Sequence, residues 1–311
     1  MARIVITEFM ADDAVGELGA THTVLYDPTL ADNRPRLLEL VAEADGLIVR
    51  NRTQVDEALL GASPELRVVG RLGVGLDNID LDACSARSIA VRPATGANAD
   101  SVAEYVIAAA LSLVRGVFLS SESVIAGDWP RVSLTGLEIQ GRTMGLIGFG
   151  DIAQRVAHRA RALGMSVVAH DPFLPRDAAA WSMATNETLE GVLASADVVS
   201  LHVPLTDDTR GLIGQSALAA MRDTAVLVNT SRGGVVDEEA LILALRTGGI
   251  RGAALDVFAS EPITATSGAR FADVPNLLLT PHIAGITSES HERVSSMVAK
   301  AVADALAEEQ R

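Results

Sequence analysis

Thr143-Met144-Gly145-Leu146-Ile147-Gly148-Phe149-Gly150-Asp151-Ile152-Ala153 is the stretch whose reading decides the fold. The run up to Ile147 predicts a buried strand, and Gln154 to Leu163 predicts a helix. Between them Gly148, Gly150 and Ala153 occupy the G-x-G-x-x-G/A positions of a dinucleotide turn. Gly148 permits a tight turn, Gly150 lets backbone approach a pyrophosphate, and Ala153 lets helix and strand pack closely. The unpaired N–H groups and dipole of the new helix would face phosphate. The next strand, Ser166–His170, runs into Asp171, where a carboxylate can accept from a ribose 2′-OH and would repel a 2′-phosphate. Pro172 and Phe173 follow instead of an arginine, so NAD is favoured over NADP, with Arg176 the one feature on the other side. The plainer alternative for Asp171 is a turn-forming Asp-Pro pair.

Outward from that turn the alternation of strand and helix continues. Val198–His202, Ala225–Asn229, Gly252–Leu255 and Leu277–Leu279 predict further strands of a parallel sheet covered by helices. Upstream, Arg3–Thr7, Thr23–Tyr26, Gly46–Val49, Arg67–Gly70 and Ile89–Val91 make a second doubly wound unit of about 95 residues, with helices such as Arg34–Glu43 between them. Turn signals at Pro93 to Gly96 precede a long helix that Asn98 or Ser101 can cap. It is apolar from Ala103 to Val114 and needs burial against something large, another domain or a second subunit. Ser288–Glu309 is helical with no sheet of its own to cover, which points back to the first unit. The 311 residues thus suit two domains, with one as the alternative that length alone leaves open. The expected class is α/β, two doubly wound parallel-sheet domains, one spanning 1–96 plus 286–311 and the other 97–285.

Composition bounds the function. The chain is 49% hydrophobic and 21% charged, which excludes disorder. Forty acids against 25 bases give a net charge of −15, which argues against nucleic acid and anionic lipid as partners. A few local arginines can still overrule that field for a small anion. The single cysteine, Cys84, excludes an internal disulfide and a multi-cysteine metal site, and fits a reducing compartment. No metal is expected. No secretory h-region opens the chain, and the longest apolar stretch, Tyr105 to Val114, is short of the roughly 18 residues of a membrane span. A cytoplasmic, soluble protein is expected.

Of six histidines, His158 and His291 lie on polar helical faces and are expected to be exposed. His170 and His202 end strands, where doubly wound sheets bind ligands; His202 either lines that crevice or is structural. His282, in Thr280-Pro281-His282-Ile283-Ala284-Gly285, follows an apolar strand and suits the proton transfer that accompanies a hydride transfer. Glu261, in the segment Asp256–Pro262, is a candidate to fix its tautomer. Arg232, in Asn229–Gly234, is a candidate fork for a carboxylate. Each has a plainer alternative: a satisfied interior imidazole, a loop cap, a surface ion pair. Spacing alone does not bring the three together.

Taken together, these motifs resemble the NAD-dependent D-2-hydroxyacid dehydrogenases, which include phosphoglycerate dehydrogenase and hydroxypyruvate (glyoxylate) reductase. The likeness runs from about Gly46 to the C-terminal helix and is densest over Gly211–Gly285, where Val228–Glu238, Asp256–Pro262 and Pro281–Gly285 occur in the family's order. The resemblance implies a discontinuous flavodoxin-like substrate domain, a Rossmann NAD-binding domain and a homodimer. It makes His282 the acid/base, Glu261 its partner and Arg232 the holder of the substrate carboxylate. Val74 and Gly75, in Arg71–Asp77, would donate backbone N–H groups to that carboxylate, and Asn98, which opens the interdomain helix, is a further implied substrate contact. Cofactor contacts are implied for Phe149, Asp151 and Ile152 in the turn, and for His202, Val203, Pro204 and Thr209 beyond the next strand of the sheet. Thr230, Ser231, Asp256 and Gly285 complete the implied set.

Two departures stand out. The chain ends at Arg311, without the C-terminal regulatory domain of longer phosphoglycerate dehydrogenases, so serine feedback through it is not expected. Arg50-Asn51-Arg52-Thr53 stands where the family often has serine after the first arginine. Arg50 and Arg52 share a face in an extended chain and are expected to bind a second anionic group on the substrate, or else to pair with surface acids. The expected reaction is NAD-linked interconversion of a 2-hydroxy and a 2-keto acid resembling 3-phosphoglycerate, hydroxypyruvate or sulfolactate. The alternatives are a non-catalytic NADH-sensing scaffold and a formate- or phosphite-type oxidiser.

Overall fold

Four-residue β-branched and leucine-rich runs build the first sheet. In a computed structural model describing residues 1–118 and 120–308, β1 (Arg3–Ile6), β2 (Thr23–Tyr26), β3 (Gly46–Val49), β4 (Val68–Arg71) and β5 (Ala90–Pro93) pair in parallel in the order β2-β1-β3-β4-β5. This is the flavodoxin-like order. Alternate side chains serve opposite layers. Ile4, Ile6, Ile48 and Val68 pack with Val294, Val298, Val302 and Leu306 of the helix Ser288–Glu308. Val5, Leu47, Val49 and Val69 pack with Leu37, Leu40, Leu59 and Leu60 on the other face. A Cβ on Gly70 would lie 2.6 Å from Val302 and 2.7 Å from Val298, so glycine lets the last helix lie close on β4. The ladder pairs Val49 with Arg71 and Arg71 with Pro93, carrying β4 and β5 further along the chain than predicted. Glu309, the predicted last residue of the helix, lies outside the described residues.

The chain divides into two compact units, residues 1–98 with 286–311 and residues 99–285. In the second, β6 (Thr143–Ile147), β7 (Ser166–His170), β8 (Thr185–Asn186), β9 (Val198–Leu201), β10 (Val226–Asn229), β11 (Gly252–Leu255) and β12 (Leu277–Leu279) form an all-parallel sheet. Its order is β12-β11-β10-β9-β6-β7-β8. The two-residue edge strand β8 is new, because a pair of exposed polar residues carries no apolar alternation. The alanine-rich helix spans Ala99–Arg115 and packs on the helix Asp151–Ala162 and on β10 and β11. Cover for it within its own unit thus comes from one helix and two strands. Asn98 does not cap it: its Oδ1 is buried without a hydrogen-bond partner. Among the described residues no helix is long and apolar enough to cross a membrane.

Candidate active site

The glycine turn has the geometry a pyrophosphate needs. Gly148 adopts φ 84°, and a Cβ there would lie 2.5 Å from the His202 carbonyl oxygen, so no side chain is accommodated. Gly150 has open space where its Cβ would be, and the helix Asp151–Ala162 starts without a side-chain cap. Asp151 is exposed and pairs with Arg155, while Ile152 is half-buried. The Phe149 ring is fully buried and stacks on Trp181 at 5.2 Å, so this residue can offer a ligand only backbone. Asp171 accepts from the Phe149 N–H (2.9 Å) and the Phe173 N–H (3.0 Å), one on each oxygen, leaving further acceptor capacity on both.

At the end of β9, burial pushes the His202 imidazole down to about 4, and its Nε2 stands 2.9 Å from the Ser200 hydroxyl. Val203 is half-buried and Pro204 exposed. Thr209 donates to the Pro204 carbonyl (2.6 Å), closing that loop on itself. Thr230 Oγ1 is buried without a partner. These features fit a dinucleotide: a turn closed to side chains, an open helix start, a fixed carboxylate and a spare hydroxyl.

Strands β10, β11 and β12 are consecutive neighbours in the sheet, and Arg232, Glu261 and His282 follow their C-terminal ends. His282 Nδ1 lies 2.8 Å from Glu261 Oε2, and Glu261 Oε1 accepts from the Phe258 N–H at 2.8 Å. An ionised carboxylate only accepts, so Nδ1–H donates and Nε2 is left for a reactant. His282 has φ 53°, in the left-handed region, and its N–H is tied to the Asp256 carbonyl at 2.8 Å.

Asp256 itself is 1% exposed. Its carboxylate collects the Thr280 hydroxyl (2.6 Å) and the N–H groups of Ile283 and Ala284 (2.8 Å each). Sequence reading gave this residue a cofactor contact; the structure places three protein donors on it. Gly285, next along, is half-buried.

The Arg232 loop is shaped by Asn229. Its Nδ2 donates to the Arg232 carbonyl (2.9 Å), and its Oδ1 accepts from the N–H (3.0 Å) and hydroxyl (2.8 Å) of Ser231. A Cβ on Gly233 would fall 1.8 Å from the Phe258 carbonyl carbon, so the loops bearing Arg232 and Glu261 touch backbone on backbone. Two further residues escaped sequence reading. Glu238, buried, pairs with Arg270 and accepts from the Ala259 N–H at 2.7 Å, fixing the Glu261 loop. An acid in the first turn of a helix is ordinarily read as a dipole effect. Tyr105 reaches Thr280 from the alanine-rich helix, and nothing in an apolar helical run announces such a reach.

In the first unit, Glu8 is 4% exposed and gathers the N–H groups of Arg50, Asn51, Arg52 and Thr53 at 2.8–3.3 Å. The chain after β3 therefore bends around a carboxylate instead of running on extended, and Arg50 and Arg52 part company. Arg52 is exposed and ion-paired with Asp32, so the expectation that it serves a ligand fails. Arg50 is half-buried, with Nη1 3.4 Å from His291 Nδ1, and no carboxylate lies within ion-pair distance among the described residues. Burial lowers the Arg50 guanidinium below its usual value, Glu8 opposing. His291 is likewise not the exposed residue predicted: it packs edge-on against Phe9 at 5.1 Å and faces Arg50. His158 is exposed. Val74 is exposed and Gly75 half-buried in the loop after β4, and their N–H groups have no acceptor among the described residues.

Residues 107–284 match the family model for the D-isomer specific 2-hydroxyacid dehydrogenase NAD-binding domain. Over 296 residues the chain is 54% identical to (S)-sulfolactate dehydrogenase of Chromohalobacter salexigens, covering 95% of each. It is 40% identical to D-3-phosphoglycerate dehydrogenase of Mycobacterium leprae over 98% of its own length, spanning 57% of that protein. The TT0316 protein of Thermus thermophilus superposes with a TM-score of 0.88 at 34% identity, over 98% of this chain and 97% of that one. The chain belongs to the D-isomer specific 2-hydroxyacid dehydrogenase family. It is accordingly an oxidoreductase with an NAD-binding domain, and the turn at Gly148–Ala153 lies within the matched region.

Proposed function

We propose that this chain interconverts a 2-hydroxy acid and its 2-keto acid with NAD(H), and that the preferred substrate carries a second strong anion, a sulfonate or a phosphate. The observation that carries the reaction is the 2.8 Å contact of His282 Nδ1 with Glu261, which orients Nε2 outward. In reduction, His282 as imidazolium gives its Nε2 proton to the forming alkoxide oxygen while Glu261 stabilises the charged ring. In oxidation, the neutral ring takes the hydroxyl proton. Arg232 is the residue for the substrate carboxylate, by a bidentate fork. NAD(H), held by the Gly148–Ala153 turn, Asp171 and Thr230, supplies or accepts the hydride. Because the ring must be protonated for reduction and neutral for oxidation, reduction favours lower pH.

In the first unit, the free N–H groups of Val74 and Gly75 suit a carboxylate. Arg50, without a carboxylate partner and beside His291, suits the second anion. Asn98, whose Oδ1 is buried and unpartnered, suits a substrate hydroxyl donor. The names of the relatives, one acting on sulfolactate and one on phosphoglycerate, support a doubly anionic substrate. We also place the chain in the cytoplasm, as a homodimer.

The test is NADH oxidation across sulfopyruvate, phosphohydroxypyruvate, pyruvate and glyoxylate. A charge-assisted contact of about 1.5–3 kcal/mol predicts that kcat/KM for one of the doubly anionic acids exceeds the others by at least about tenfold. Arg50→Gln should abolish that preference with glyoxylate turnover little changed. Equal efficiency on all four acids overturns the second-anion reading, and no turnover of any overturns the reaction.

A further inference from the structure

A chain of hydrogen bonds runs from the alanine-rich helix into the loop of the candidate acid/base. Tyr105 Oη and Thr280 Oγ1 are 2.6 Å apart, and Thr280 Oγ1 lies 2.6 Å from Asp256 Oδ1. Its direction is determined. The Asp256 carboxylate, receiving two backbone N–H groups, only accepts, so Thr280 donates its one proton there. Tyr105 must then donate to Thr280. Burial raises the Tyr105 phenol above its ordinary value, which keeps it a donor.

We propose that Tyr105 is a positioning residue for His282, acting through Thr280 and Asp256. His282 stands at φ 53°, a conformation that residues other than glycine adopt sparsely and that surrounding structure must impose. Asp256 imposes it with four bonds. Its carbonyl takes the His282 N–H, and its carboxylate takes Thr280 on one side of the histidine and Ile283 and Ala284 on the other. Thr280 is the one member of this set that is a rotor. A threonine hydroxyl can turn to other acceptors, and the phenol proton arriving at its lone pair is what fixes it. The phenol sits on a helix packed against β10 and β11, the strands that precede Arg232 and Glu261, so the anchor and the groups it serves share one rigid frame. Glu261 fixes the ring from the side chain and Tyr105 fixes it from the backbone.

This proposal rests on the dehydrogenase reading above, and the test separates the two. Tyr105→Phe keeps the ring and removes the donor. It should lower kcat for the best 2-keto acid by about tenfold, since small misplacements of a proton-transfer group carry costs of that order. KM for NADH should change by less than about twofold, and the melting temperature by less than about 2 °C. Thr280→Val should give a similar loss, and the double variant should be no worse than Thr280→Val alone, because both break one chain. The readout independent of turnover is the ring spectrum of His282 in protein carrying 13C-labelled histidine, assigned by its loss in His282→Asn. Tyr105→Phe should shift or broaden that signal and leave exposed His158 unchanged. Unchanged kcat overturns the proposal, as does a loss matched by a falling melting temperature with the His282 signal unmoved. So do additive losses in the double variant. A wild-type chain inactive on every 2-keto acid overturns the function reading alone, and the His282 spectrum then still decides the positioning role.

Discussion

His202 shows what a single residue commits the protein to. Its Nε2 lies 2.9 Å from the Ser200 hydroxyl, and burial pushes the group to about 4 from an ordinary value of 6.5. The folded state therefore binds this proton less readily than the unfolded chain. The associated stability is complete above pH 6.5 and is lost as pH falls toward 4, amounting to about 2 kcal/mol by pH 5 and about 3 kcal/mol at the limit. Urea unfolding at pH 7.5 and pH 5 should show that loss in the wild type and a smaller one in His202→Gln. Parallel losses in both would show that this ring is not the source. At the same scale, the reading of motifs was uneven for a physical reason. His282 and Glu261 lie in loops that interrupt apolar strands, so their polarity is conspicuous, and the structure sets them 2.8 Å apart. Glu238 and Tyr105 act from within helices, where an acid in the first turn and an aromatic on an apolar face have ordinary explanations. Arg52 misled because an extended chain was assumed where Glu8 bends it.

Elements were legible where burial imposes a pattern. Strands β6 and β7 are predicted to the residue, because each is apolar and bounded by polar or glycine turns. β8 was not legible, being two exposed residues paired along the sheet edge. The packing between elements is where sequence says least, and Gly70 is an instance: an ordinary-looking strand glycine that is in fact the seat of the last helix. Gly70→Ala places its methyl under 3 Å from Val298 and Val302, whose branched side chains have little freedom to withdraw. Overpacking of this type costs about 1–3 kcal/mol. Val302→Ala alone should also destabilise, by the cavity it leaves. Combined, the two should cost less than their sum, since the shortened side chain makes room for the added methyl. Thermal unfolding of the four proteins measures this, and strict additivity would show that helix and strand do not meet closely at Gly70.

On the scale of the whole molecule, composition and surface pull in opposite directions. Phe118, Ile125, Trp129 and Val132 are 66–89% exposed within one short stretch of the second unit. In the homodimer proposed above, large apolar side chains so concentrated on a chain otherwise rich in charge would gain most from being covered. Self-complementary pairing of this stretch with that of a second copy is then the most economical arrangement for the proposed dimer. Yet each chain carries −15, so two copies approach against repulsion. Apolar contact is little affected by moderate salt, whereas the repulsion is screened as the Debye length falls from about 30 Å at 0.01 M to about 8 Å at 0.15 M. Dimerisation should therefore strengthen as salt is raised over that range, the reverse of an interface built on ion pairs. Sedimentation equilibrium at both salt concentrations reads this directly. The variant Ile125→Asp with Val132→Asp should be monomeric at both, with its unfolding midpoint extrapolated to low protein concentration unchanged. A dimer that weakens with salt, or one that survives both aspartates, would place the contact elsewhere on the surface and leave this apolar stretch without a role in assembly.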